Sequence, residues 1–107
     1  MSTAAEKWRD DLASWAIPDE IRAQAPQDPW IHPVAQFLAP DGPIPDSPAH
    51  QAAREALPEG GSVLDVGCGG GLAALALVPP AGLLIGVDHQ QGMLDAFAEA
   101  AAKRGVA

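Results

Sequence analysis

Positive charge is scarce in this chain: six lysines and arginines stand against fourteen aspartates and glutamates, a formal net charge of −8 over 107 residues. That balance excludes an autonomous binder of nucleic acid or of an anionic membrane, because phosphate recognition needs a basic footprint. Cysteine is reduced to Cys68 alone. An internal disulfide is therefore excluded, and one thiol with three scattered histidines gives no metal-ligand spacing, so no metal is expected. Residues 1–11 carry no apolar run behind a basic segment, and no secretory signal is expected there. Long hydrophobic runs are missing as well. The longest, from Leu72 to Val87, is cut by Pro79 and Pro80 and falls short of the roughly twenty residues a bilayer-spanning helix needs. A reducing, cytoplasmic setting is the expectation. Bulky apolar side chains are also few, since much of the 48% hydrophobic content is alanine. Alanine buries little area, so the available core is thin.

What is present falls into two parts. Thr3 and Glu6 have capping-box spacing, and Trp8, Leu12 and Trp15 follow as an apolar stripe, which predicts a helix over 4–16. Pro18, Asp19 and Glu20 suit the first turn of a short second helix ending before Ala25 and Pro26. Asp28, Pro29, Trp30 and Pro33 predict another helical turn or two reaching Phe37. The three tryptophans are expected to glue these helices to the body rather than to wall a ligand. Asp10, Asp11, Asp19 and Glu20 read as solvated helix surface. The prolines at 40, 43, 45 and 48, set among Asp41, Gly42 and Asp46, read as a linker. The expected division is a helical cap and proline-rich linker over 1–45 and a second domain over 46–107.

The second part alternates strand and helix. Ser47 as N-cap and Pro48 at the first helical position start a helix to about Leu57. A strand is expected at 63–66, a short apolar helix at 72–77, and a strand at 83–87. The second strand is so continuously apolar that it fits a parallel strand buried on both faces. A last helix over 91–104 ends at Gly105.

Between the first strand and its helix the sequence runs Val66-Gly67-Cys68-Gly69-Gly70-Gly71. Glycine permits the sharp turn and the approach of a ligand to bare backbone, so the amides of this turn are expected to stand open. The helix behind adds free N–H groups and the positive end of its dipole. Asp65, just before the turn, is ill suited to a phosphate ligand but well suited to one carrying an ammonium group beside a carboxylate. Asp88 closes the second strand about twenty residues on, the spacing at which βαβ nucleotide folds reach a ribose. Cys68 reads as a small packed residue, not a nucleophile, for no histidine stands at a fixed distance to activate it. His32 and His50 carry no signal.

The segment Leu64-Asp65-Val66-Gly67-Cys68-Gly69-Gly70-Gly71, with Gly86-Val87-Asp88 downstream, closely resembles the first two motifs of class I S-adenosylmethionine-dependent methyltransferases. The resemblance implies an α/β fold: a Rossmann-like parallel sheet, incomplete with its first two strands, preceded by an α-helical cap segment. It implies S-adenosyl-L-methionine as cofactor. Gly67, Cys68 and Gly69 would contact its methionine part through the backbone, and Asp65 would support the amino group directly or through water. Asp88 would accept hydrogen bonds from both ribose hydroxyls, and His89 would pack against the adenine. The acceptor is expected to be a small molecule, and the catalytic residues are not identified.

Gly69, Gly71 and Ala74 also satisfy the looser G-x-G-x-x-A pattern of NAD(P)- or FAD-binding Rossmann oxidoreductases. The resemblance breaks off at Ala107, before the third strand and the substrate-side elements that the family carries. The expectation is a fragment, inactive alone. Two parallel strands leave open edges and a thin core, so a non-catalytic module completed by a chain supplying the missing strands is the third reading.

Overall fold

A computed structural model of the chain describes residues 1–26, 28 and 31–107. The chain divides into two compact units, Met1–Ile31 and His32–Ala107. Residues 32–45, grouped by sequence with the cap, belong to the second unit.

The first unit is held by local bonds. Helix α1 spans Ala4–Ser14. Its capping box forms as the spacing predicts, Glu6 N–H donating to Thr3 Oγ1 at 3.2 Å and Thr3 N–H to Glu6 Oε2 at 2.7 Å. The one-turn helix α2 spans Asp19–Arg22 behind Pro18. Neither helix buries a residue. Trp8 and Trp15 are 59% and 72% exposed. Gln27, Pro29 and Trp30 lie outside the described residues, and with them part of the helical turn expected before Phe37. A single 3₁₀ turn, Val34–Gln36, follows in the second unit.

In the second unit α3 spans Pro48–Ala56, and Ser47 Oγ accepts from His50 N–H at 3.1 Å. Strand β1, Ser62–Val66, pairs in parallel with β2, Leu83–Val87, with Asp65 opposite Gly86 and Val66 opposite Val87. Between them α4, Leu72–Leu75, makes one turn. Helix α5, Gln91–Lys103, closes the unit. It ends in a Schellman arrangement: Gly105 takes φ +67°, its N–H donates to Ala102 O, and Val106 N–H donates to Ala101 O. Val106 thereby folds back onto the core, and Ala107 O accepts from Leu84 N–H at 3.1 Å. The described residues thus form a mixed fold of five α-helices and one two-stranded parallel sheet. No described helix is long and apolar enough to cross a membrane.

The core is small and centres on Phe97 of α5, packed with Cys68, Ala74, Leu75 and Ala101. A Cβ on Gly71 or Gly86 would come within 2.8 Å of that ring. The bare backbone at these two positions therefore serves packing. Two expectations need correction. The proline-rich stretch is not a free linker: Ala39 and Ile44 pack against the core, and two guanidinium groups hold its backbone and Asp46. Arg104 donates to the carbonyls of Pro40 and Gly42 at 2.6 and 2.7 Å, while Arg54 reaches Asp46 at 2.6 Å and Ala76 O at 2.9 Å. Nor is β2 buried on both faces. Both strands alternate, and Leu64, Val66, Leu83, Ile85 and Val87 share one exposed face, because no element of the second unit packs over it.

Candidate functional site

Parallel pairing puts the C-terminal ends of β1 and β2 side by side, and the chemistry-bearing residues gather there. This is where ligands of open parallel sheets bind. Asp65 lies opposite Gly86, two residues short of Asp88. Cys68 sits near both acids: its thiol is pushed up first by burial and then by the charges of Asp65 and Asp88. At 8% exposure, with Sγ donating to Gly69 O at 3.4 Å, it is a packed side chain and a poor nucleophile.

The two carboxylates differ. Asp88 is one-tenth exposed. Its Oδ1 accepts from Gln90 N–H at 2.9 Å and its Oδ2 from Gly69 N–H at 3.0 Å. These bonds, the Gln90 one foremost, hold its pKa below the usual 3.8. Asp88 thus ties the glycine turn after β1 to the turn after β2. Asp65 receives no donor from the described residues, and burial pushes its pKa above 3.8. It lines a cavity of about 250 Å³ between α3, β1 and α4, otherwise apolar except for His50. The Nδ1 of His50 is sealed from solvent without a partner. His89 is exposed, its Nδ1 3.6 Å from Asp88 Oδ1.

The glycine turn departs from the sequence reading in one respect. Its amides were expected to stand open, yet most are engaged. Gly67 and Cys68 both donate to Val87 O, at 2.6 and 3.0 Å, Gly69 donates to Asp88, and Gly71 donates to Cys68 O at 3.1 Å. The cause is the ladder: Val66 pairs with Val87, the last residue of β2, and the next two amides of the turn close on the carbonyl at that strand's end. Gly67, Gly69 and Gly71 adopt φ of +76°, +55° and +92°, the left-handed conformations the glycines were expected to supply. The expected dipole is curtailed, because α4 is a single turn with Gly71 as its cap.

Three residues without a sequence signal join the site. Phe37 lies against Gly69, and its carbonyl would collide with a Cβ on Gly70. Leu38 forms an isolated parallel bridge with Gly70. Gln90 binds His32 twice, Oε1 accepting from His32 N–H at 2.9 Å and Nε2 donating to His32 O at 3.0 Å. The only sequence-level hint was chemical: a glutamine at an N-cap, where Ser, Thr, Asp or Asn is preferred.

No group of three or more metal-ligating side chains occurs among the described residues. No protein-family model, curated protein or solved structure matches this chain.

Proposed function

We propose that the second unit is the S-adenosylmethionine-binding part of a class I methyltransferase, formed on the first two strands of a Rossmann-like sheet. One observation carries this reading: at the strand ends the donors are used and the acceptors are left. A dinucleotide pyrophosphate needs several free amides, and four of this turn's amides are taken. The acceptors suit a ligand rich in donors. Asp65 stands unpaired by described residues, fitted to an ammonium group. The Asp88 oxygens hold main-chain donors, those of Gln90 and Gly69 foremost, and keep further lone-pair capacity for a hydroxyl, so a vicinal diol can be received by that carboxylate.

The residues fit the cofactor in a specific division. Asp65 takes the amino group, Asp88 the two ribose hydroxyls, and exposed His89 the adenine face. The turn at Gly67, Cys68 and Gly69 backs the methionine part with bare backbone. Bound there, S-adenosylmethionine supplies a methyl group on a cationic sulfur. The net charge of −8 favours a small-molecule acceptor over nucleic acid, and a cytoplasmic setting accords with a free buried thiol.

Calorimetric titration with S-adenosylhomocysteine, with NAD as comparison, tests the reading. Saturable binding of the former, abolished by Asp88→Ala, is the expected result; binding of NAD alone would replace this function with that of a dinucleotide-dependent oxidoreductase. A second reading has its own observation, the bare apolar face of Leu64, Val66, Leu83, Ile85 and Val87. It favours a unit that another polypeptide completes.

A further inference from the structure

We propose that Gln90 is a positioning residue that latches a strap, residues 32–38, over the glycine turn and couples it to the carboxylate of Asp88. This inference rests on the reading of Asp88 as the group that receives ribose hydroxyls. Gln90 acts in two directions. Its main-chain N–H donates to Asp88 Oδ1, and its side-chain amide exchanges two hydrogen bonds with the backbone of His32.

The other end of the strap lands on the other donor to Asp88. Phe37 packs on Gly69, whose N–H holds Asp88 Oδ2, and Leu38 bridges Gly70. The rings of His32 and Phe37, 5.6 Å apart, complete a closed circuit from Gln90 through Asp88, Gly69, Phe37 and His32 back to Gln90. Helix α5 forgoes its side-chain cap for this, since the Gln90 amide caps nothing. Between its anchors the strap is mostly exposed, Val34 alone being half-buried. A segment with so few buried contacts opens without unfolding the rest. Anchored beside the Gln90 and Gly69 main-chain donors to Asp88, the strap governs how a nucleoside reaches that carboxylate, and its closure shields the bound ligand from water.

The test compares the full chain with Gln90→Ala and the isosteric Gln90→Glu, which keeps the acceptor for His32 N–H and loses the donor to His32 O. Amide exchange over 32–38 is expected to quicken at least tenfold in Gln90→Ala and less in Gln90→Glu, with β1, β2 and α5 still protected. The dissociation rates of S-adenosylhomocysteine and of adenosine are expected to rise about tenfold in step. Unchanged exchange over 32–38 in both variants overturns the latch. Quickened exchange with unchanged dissociation of both probes overturns the coupling to the site. Quickened exchange in a chain that binds neither probe, even as wild type, overturns the nucleoside reading instead and leaves the latch standing.

Discussion

Where β1 ends, the carboxylate of Asp65 has no described donor, and burial pushes its pKa up. Where β2 ends, one strand over, Asp88 grips the main-chain N–H groups of Gln90 and Gly69, and its pKa is pushed down. Two acids at the same end of one sheet thus have opposite electrostatic settings. Environments that drive two titratable groups apart are how a site assigns them different tasks. Asp65 has no described donor on its carboxylate, whereas Asp88 ties the two turns together.

Phe97→Ala strikes what the two ends share. The ring fills the space left by Gly71 and Gly86, and its removal is expected to cost about 3–5 kcal/mol. For so small a core that means loss of the cooperative urea transition followed by circular dichroism. Asp88→Ala breaks only the β2 end. It leaves Gly69 and Gln90 amides without their acceptor and is expected to cost about 2 kcal/mol in the same assay, together with all adenosine binding. Asp65→Asn breaks only the β1 end. Stability is expected to hold or rise slightly, while S-adenosylhomocysteine binding weakens about ten- to a hundredfold, the worth of one charge-assisted bond. Equal losses of stability in Asp65→Asn and Asp88→Ala would erase the distinction.

Acid titration sharpens the comparison with the smallest effect. A raised pKa in the folded state means that Asp65 adds stability below the ordinary 3.8, and that this is lost as pH rises through its raised value. Asp88 behaves oppositely: its contribution is present above 3.8 and lost as pH falls through its lowered value. Asp46, held at about 2 chiefly by the Arg54 hydrogen bond, follows Asp88 and is spent by that pH. Urea midpoints are therefore expected to rise slightly as pH falls toward 4 and to drop below it. In Asp65→Asn the rise disappears and the drop remains.

Local signals were read correctly because their physics is local. The capping box of α1, the Ser47-Pro48 start of α3, the bounds of β2 and the Gly105 stop of α5 each depend on a few neighbouring residues. The grouping of Asp65, Cys68 and Asp88 was also legible, since a strand-turn-helix-strand order brings strand ends together. Hydrogen-bond assignments within the glycine turn were not, because they depend on the register that sets Val66 against Val87. The pairing of His32 with Gln90 spans 58 positions. No periodicity reports such a contact. The docking of the proline-rich stretch was missed for the same reason: its anchors, Arg54 and Arg104, lie in other elements.

Those two arginines also decide how the molecule meets trypsin. The enzyme's specificity pocket must accept a free cationic side chain, and here both guanidinium heads are occupied, one by Asp46 and Ala76 O, the other by Pro40 O and Gly42 O. Between Glu55 and Ala102 the chain offers no lysine or arginine at all. Brief digestion of the native protein should therefore nick the first unit at Arg9 and Arg22 and spare the stretch bearing both acids and the glycine turn as a single peptide.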